Sequence, residues 1–223
     1  MPYGLNVKPV HGYYVEVEAL DGAIDQVKLS DETPDDGYPA RSQPLTAGRS
    51  VQTQNLPTRL RWKDRQGHPI PDFDNGLILN VSSRAKDLID EFEPGTHQFV
   101  PVSYENSAGQ HLERRYFLFV GNRIDAMHPD NPTMALNRGM YWVPLNDLLR
   151  RGQELPPGKN ADLPAKLVLS RERIGQVHLW IDKRLASGAT FMSDKLAEAV
   201  RDKGLTGIRP GGGRNLVTHA FRP

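Results

Sequence analysis

The chain has 223 residues, 38% of them hydrophobic, with 28 Lys and Arg against 27 Asp and Glu. That is enough apolar material for one large or two small domains, and the near-neutral balance argues against a general nucleic-acid or membrane-surface binder. Cysteine is absent, which removes disulfides, thiolate chemistry and Cys-based zinc sites.

The N-terminal stretch MPYGLNVKPVHGYYVEVE lacks a basic start followed by an apolar core, so it does not read as a secretory signal. No apolar run approaches the ~20 residues that span a bilayer. The expectation is a protein that stays in the cytoplasm. The 20 glycines and 18 prolines predict short elements and many loops. Residues 13 to 19 alternate, with Tyr13, Val15, Val17 and Ala19 on one side, as a half-buried strand does.

From Glu16 to Asp36 there are eight carboxylates and one base, Lys28, a local balance of −7. Such a run is ordinarily a solvated loop and strand edge. Its functional reading is an acidic contact surface for a basic partner, with Asp31, Glu32, Asp35 and Asp36 as the contacting residues. Residues 37 to 57 read as a long irregular connection. Leu60 and Trp62 alternate with Arg59 and Arg61 in a short strand, and Asp64 to Gly67 reads as a turn. Asp72, Asp74 and Gly76 resemble a fragment of a calcium loop, but the EF-hand spacing is not met, so a plain turn is expected.

VSSRAKDLIDEFEPG predicts a helix. Ser82 or Ser83 can cap it, Ala85, Leu88, Ile89 and Phe92 form an apolar stripe, and Pro94 with Gly95 ends it. Phe99–Tyr104 and Arg115–Val120 flank a long polar loop as a hairpin. The continuously apolar YFLFV belongs in mid-sheet, covered on both faces. Residues 124–130 leave the sheet, and 134–142 fit more than one element. Pro144 opens a short helix with Leu145, Leu148 and Leu149 on one face and Gly152 at its end. After a polar loop over 153–164, KLVLS and VHLWI read as strands. A second strand–helix–strand unit follows in FMSDKLAEAVRDKGLTGIRP: Ser193 caps, Leu196, Ala199 and Val200 form the stripe, and Gly204 suits a left-handed end. Residues 211 to 223 read as a loose tail.

No motif in the chain is specific for catalysis. None of the seven histidines pairs with another at metal-binding spacing. Ser83, His97 and Asp125 could be assembled into a triad on paper, but no GxSxG elbow is present. His178 beside Trp180 reads as an ordinary strand histidine. Gly211–Gly213 lacks the Lys-Ser/Thr of a phosphate loop. Neither a cofactor nor a metal is expected.

The serial pattern VSSRAKDLID, HQFVPV, YFLFVGNRIDAMHPDN, KLVLSRERIGQVHLWI and FMSDKLAEAVRDKGLTGI resembles a family of bacterial immunity proteins from polymorphic toxin systems, the eleventh such family, formerly a domain of unknown function. The resemblance runs from Leu77 to Pro210. It is carried by Ser83, Pro101, Val102, Tyr116, Asp125, Leu167, Leu169, Ile174, Leu179, Ser193, Leu196, Gly204 and Gly207. The loop HPDNPTMA departs from the family pattern, and Trp180 stands where Phe is common. The resemblance implies a non-enzymatic protein that binds and blocks a cognate toxin or effector used in interbacterial competition. It carries over no catalytic residues. Trp62, Tyr141, Trp142 and Trp180 are candidate anchors for such a contact.

The fold expected is α+β, a mixed, mostly antiparallel sheet with a few short helices. Residues 1–76 are expected as an N-terminal lobe packed on a core formed by 77–223. The rival readings are a small enzyme using scattered carboxylates and histidines, which would need a concave pocket with convergent titratable groups, and a scaffold or interaction module.

Overall fold

The computed structural model describes residues 2–8, 15–64, 66–186, 188–209 and 220–222. Tyr13, Tyr14, His11, His219 and the Gly211–Gly213 triplet lie outside the described residues. The fold is α+β, with mostly antiparallel strands.

The main sheet has six strands. In spatial order they are β3 (Val17–Ala19), β4 (Arg59–Trp62), β7 (Gln98–Glu105), β8 (His111–Phe119), β6 (Asn80–Val81) and β5 (Phe73–Asp74). Only the β4–β7 pairing is parallel. β8 runs through its middle, and its apolar residues alternate between two cores. Phe117 and Phe119 pack with Leu60, Trp62, Val102 and Tyr104 under the loops of residues 20–57. Leu118 and Val120 pack on the other face against helix α1 (Ser83–Phe92) and helix α4 (Asp194–Asp202). The burial of YFLFV on both faces is therefore as expected. The β7–β8 turn is tighter than expected. His111–Arg114 continue the strand in polar residues, which gives no apolar signal, and Asn106 closes the turn through Ala108 N and Gln110 N.

A second sheet orders β1 (Tyr3–Gly4), β14 (Thr190–Met192), β13 (Leu179–Asp182) and β9 (Arg123–Ile124). The chain leaving β8 thus enters this sheet at once. Three two-stranded pairs complete the fold: β10 (Met134–Asn137) with β11 (Tyr141–Pro144), β2 (Asn6–Val7) with β15 (Ile208–Arg209), and β12 (Val168–Ser170) parallel to β16 (Ala220–Arg222). The stretch 134–142 is therefore a hairpin, and part of the expected tail is a strand. Helix α2 (Leu145–Arg150) follows the hairpin, and α3 (Arg171–Ile174) follows β12. In α2, Leu145 and Leu148 are buried while Leu149 is half exposed.

Ser82 caps α1, accepting from Ala85 N at 3.2 Å and donating to Asp72. Ser193 caps α4 in the same way, through Leu196 N. The stripe of α1 faces inward as Ala85, Leu88 and Ile89; in α4 the buried residues are Leu196, Ala197 and Val200, while the expected Ala199 is only partly buried. At the end of α1, Glu93 ties the helix to the second sheet. Its carboxylate accepts from His97 Nε2, Asn122 Nδ2, His178 N and Leu179 N, all at 2.8–2.9 Å. Burial raises its pKa, and these hydrogen bonds outweigh it, so the group stays an acid below its usual range.

Strands from before residue 76 share sheets with strands from after it. Residues before it supply β1 and β3 to β5, which are strands of the same sheets as β6, β7, β8, β13 and β14, and β2, which pairs with β15. The stretch 72–76 is not a plain turn. Phe73–Asp74 forms an edge strand. Asp72 is bonded to Ser82 and Thr206, and Asp74 to Asn80 and Tyr104.

Candidate functional site

The acidic run does not present its charge freely. Glu18 stands opposite Arg61 in the β3–β4 register and pairs with it at 3.2 Å. Glu16 pairs with Lys63 at 2.7 Å and Asp21 with Arg59 at 3.4 Å. Cross-strand neighbours of opposite sign are the ordinary fate of such positions, and the local balance of −7 is largely met by bases the sequence places far away.

The next segment, residues 31–38, is fastened more elaborately. Asp35 accepts from Arg123 Nε at 2.6 Å and Nη2 at 3.1 Å, from Arg49 Nη2 at 3.0 Å and from Gly37 N at 2.9 Å. The Arg123 guanidinium holds its carboxyl well below the usual carboxylate range, against the opposing effect of burial. Arg123 also donates to Ala47 O at 2.9 Å and Tyr38 O at 2.6 Å, so one mostly buried guanidinium fixes both ends of the turn. Asp36 pairs with Lys183 and Arg184. The hydrogen bond from Lys183 leads the effects that lower its pKa. Asp31 turns back on Thr33 N and Glu32 is exposed, so these two carboxylates face outward.

Arg184 carries the construction across to the β10–β11 hairpin. Besides Asp36 it donates to Asp125 at 3.0 Å and to the carbonyl of Gly139 at 2.7 Å, and its own carbonyl accepts from Trp142 N at 2.8 Å. Tyr38 meets Tyr141 edge-on, with ring centroids 5.6 Å apart. Asp31, Glu32 and Asp36 thus lie on a loop that adjoins Tyr141 at the start of β11, and Asp35 fastens that loop to Arg123 and Arg49. At the hairpin tip, Arg138, Gly139 and Met140 are exposed.

The tryptophans are placed differently from the expectation. Trp180 has no exposed surface and stacks on Phe191 at 5.7 Å, while Trp142 and Trp62 are each 6% exposed. All three are core side chains of this fold. Burial of large aromatics is their commonest fate, and sequence offered no sign of which would escape it. Arg123, Lys183, Arg184 and Arg138 escaped sequence reading. An Asn-Arg-Gly turn between Met134–Leu136 and Tyr141–Val143 was the available signal for the hairpin.

His97, Asp125 and His178 are each engaged in contacts of their own. His97 bonds Glu93 and accepts from Gly121 N at 3.0 Å, and Asp125 pairs with Arg173 and Arg184 at 3.0 Å. His178 bonds the Ser193 hydroxyl at 2.8 Å, the same oxygen that caps α4. Among the described residues no group of three or more His, Asp or Glu side chains is arranged to hold a metal ion. Among them, too, no helix is long and apolar enough to cross a membrane.

A family model described as an immunity protein family, Imm11, matches residues 8–212. No curated protein matches the chain.

Proposed function

Because this chain belongs to the Imm11 immunity protein family, we propose that it neutralises a cognate bacterial toxin by binding it directly, with the braced surface of residues 31–38 and 137–141 in contact. Family membership over 8–212 is the observation that carries this reading. Neutralising a self-directed toxin demands a dissociation constant near nanomolar, roughly −12 kcal/mol, over an interface of about 800 Å² per partner. A surface already fastened by Arg49, Arg123, Lys183 and Arg184 loses little further freedom on binding, which favours tight association. Asp31 and Glu32 contribute outward charge, and Tyr141 an aromatic edge. Asp35 and Asp36 shape the loop, and Trp142 and Trp180 support it from the core. On this reading the protein works in the cytoplasm, by occupying the toxin and not by altering it chemically.

Rescue tests the proposal. The C-terminal domain of a toxin-like protein encoded beside this chain is expressed in a sensitive host, and survivors are counted with and without the immunity chain. Full rescue with co-purification is expected. Undiminished killing with both proteins expressed sinks the proposal. Asp31→Asn with Glu32→Gln tests the surface: affinity and its salt dependence should both fall, and unchanged values remove the acidic loop from the interface.

A further inference from the structure

The tip of the β10–β11 hairpin is a built element. Arg138 has φ +50°, the left-handed region that L residues other than Asn and Asp rarely enter, and Gly139 follows at φ +71°. Backbone held this way persists where its surroundings over-determine it, and such positions cluster at functional sites. Here the clamp is visible. Arg184 donates to the carbonyls of Gly139 and Met140 from behind and is itself held by Asp125 and Asp36. Asn137 Nδ2 donates to the Tyr141 hydroxyl at 2.6 Å across the base of the turn.

The front of the tip has the opposite character. Arg138 is exposed and has no ion-pair partner among the described residues. Met140 and Leu136 are each 39% exposed, and four of the five exposed large hydrophobics of the described residues fall between 136 and 163. The charge there is not incidental, since residues 134–175 hold seven Lys and Arg against four Asp and Glu. The cations of the neighbouring loop are matched by Asp35 and Asp36, whereas the tip leaves Arg138 unmatched. Arginine and methionine with an apolar neighbour are the composition of an interface centre.

We infer that this clamped tip inserts into a carboxylate-lined cleft of the toxin domain, with Arg138 as the charged anchor and Met140 and Leu136 as the apolar ones. The inference rests on the toxin-binding reading above. Outward carboxylates at Asp31 and Glu32 lie on the adjoining loop, so the surface is bipolar and admits one orientation of the partner.

The test measures the affinity of the neighbour-encoded toxin domain for the full chain and four variants. Arg138→Gly removes the cation and keeps the turn, because glycine adopts positive φ freely. Arg138→Glu reverses the charge, Met140→Ala trims the apolar anchor, and Leu112→Ala on β8 serves as an exposed control away from the tip. Arg138→Gly should weaken binding about 30-fold and Arg138→Glu about 100-fold or more, with the Leu112 variant unchanged. Thermal midpoints should stay within about 2 °C of wild type, as for exposed substitutions. If Arg138→Glu unfolds, Arg138→Gly decides alone. Wild-type affinity in both Arg138 variants overturns the tip and leaves toxin binding standing. A wild-type chain that does not bind the domain overturns the toxin-binding reading and the inference with it.

Discussion

Asp35 and Arg123 are 88 residues apart in sequence and meet through two hydrogen bonds, 2.6 Å to Nε and 3.1 Å to Nη2. Paired forks of this kind are the strongest of the charge-assisted bonds. Asp35→Asn should cost about 1–2 kcal/mol, a figure held down by solvent screening of a partly exposed pair. Because the folded-state pKa of Asp35 is depressed, its contribution is present above the ordinary carboxylate value of about 4 and is lost as pH falls through its own lower value. Denaturant unfolding of both proteins from neutral pH downward should therefore show curves that converge in acid. A gap that stays constant down to about pH 2 would mean that the ionised pair contributes nothing.

Arg115 offers a harsher test of the main sheet. Its side chain has no exposed surface and donates to Asn80 Oδ1 at 2.7 Å, to the carbonyls of Pro71 and Asp72 at 2.6 and 3.2 Å, and to Glu113. It also lies over the Tyr104 ring. Arg115→Ala leaves the acceptors on Asn80, Pro71 and Asp72 without this donor in the interior and should cost about 3–5 kcal/mol. Arg115→Lys should rescue only part of this, since an ammonium cannot reproduce the planar fork. Full stability in the Lys variant, read from the urea midpoint, would contradict that account.

Two glycines of the last strand–helix–strand unit should separate cleanly. Gly204 ends α4 at φ +61° with nothing within 4 Å of an added Cβ, so Gly204→Ala should cost about 1 kcal/mol, for backbone conformation alone. At Gly207, with φ +91°, a Cβ would lie 2.0 Å from the carbonyl oxygen of Phe73. That oxygen belongs to backbone and cannot rotate away, so Gly207→Ala should be the far more damaging change, about 3 kcal/mol or more. Comparable losses at the two sites would show that close approach to β5 is not what Gly207 provides.

Elements held together by local sequence are legible in the chain. The α1 stripe was legible because Ala85, Leu88 and Ile89 repeat at helical spacing, and the place of β8 because an unbroken apolar strand needs two covered faces. Local capping is legible too, since donor and acceptor are three residues apart, although the sequence leaves Ser82 and Ser83 as alternatives for α1 and the structure selects Ser82. The surface was not legible. Asp36 and Arg184 are 148 residues apart, and nothing local to either says that they meet, so the acidic run looked free when it was already paired. Nor does anything local show that β4 pairs in parallel with β7, a strand from the other side of residue 76. The second unit's return strand β15 pairs with β2 at the opposite end of the chain, which periodicity cannot report.

Asp182 lies directly before the two bases that hold the acidic loop, and it should give the protein a second, opposite pH dependence. Its carboxylate accepts from Ala126 N at 2.8 Å, Met127 N at 3.1 Å and Arg184 N at 2.8 Å. Burial nevertheless pushes its pKa up to about 6, with the Asp125 charge adding to the rise and the three N–H bonds opposing it. A folded-state value above the unfolded value of about 3.9 means that the native state holds this proton more tightly. The contribution is therefore full below about pH 4 and is lost as pH rises through 6, by at most about 3 kcal/mol. All other groups are common to both proteins, so the informative quantity is the difference between wild type and Asp182→Asn at each pH. Asparagine turns an N–H₂ toward backbone donors and should lower stability at every pH. It also removes the titration, so the gap between the two proteins should narrow from pH 5 to pH 7.5, where wild type carries a buried charge of its own. Parallel curves across that interval would mean that Asp182 is ionised throughout, and that its three backbone N–H bonds outweigh burial.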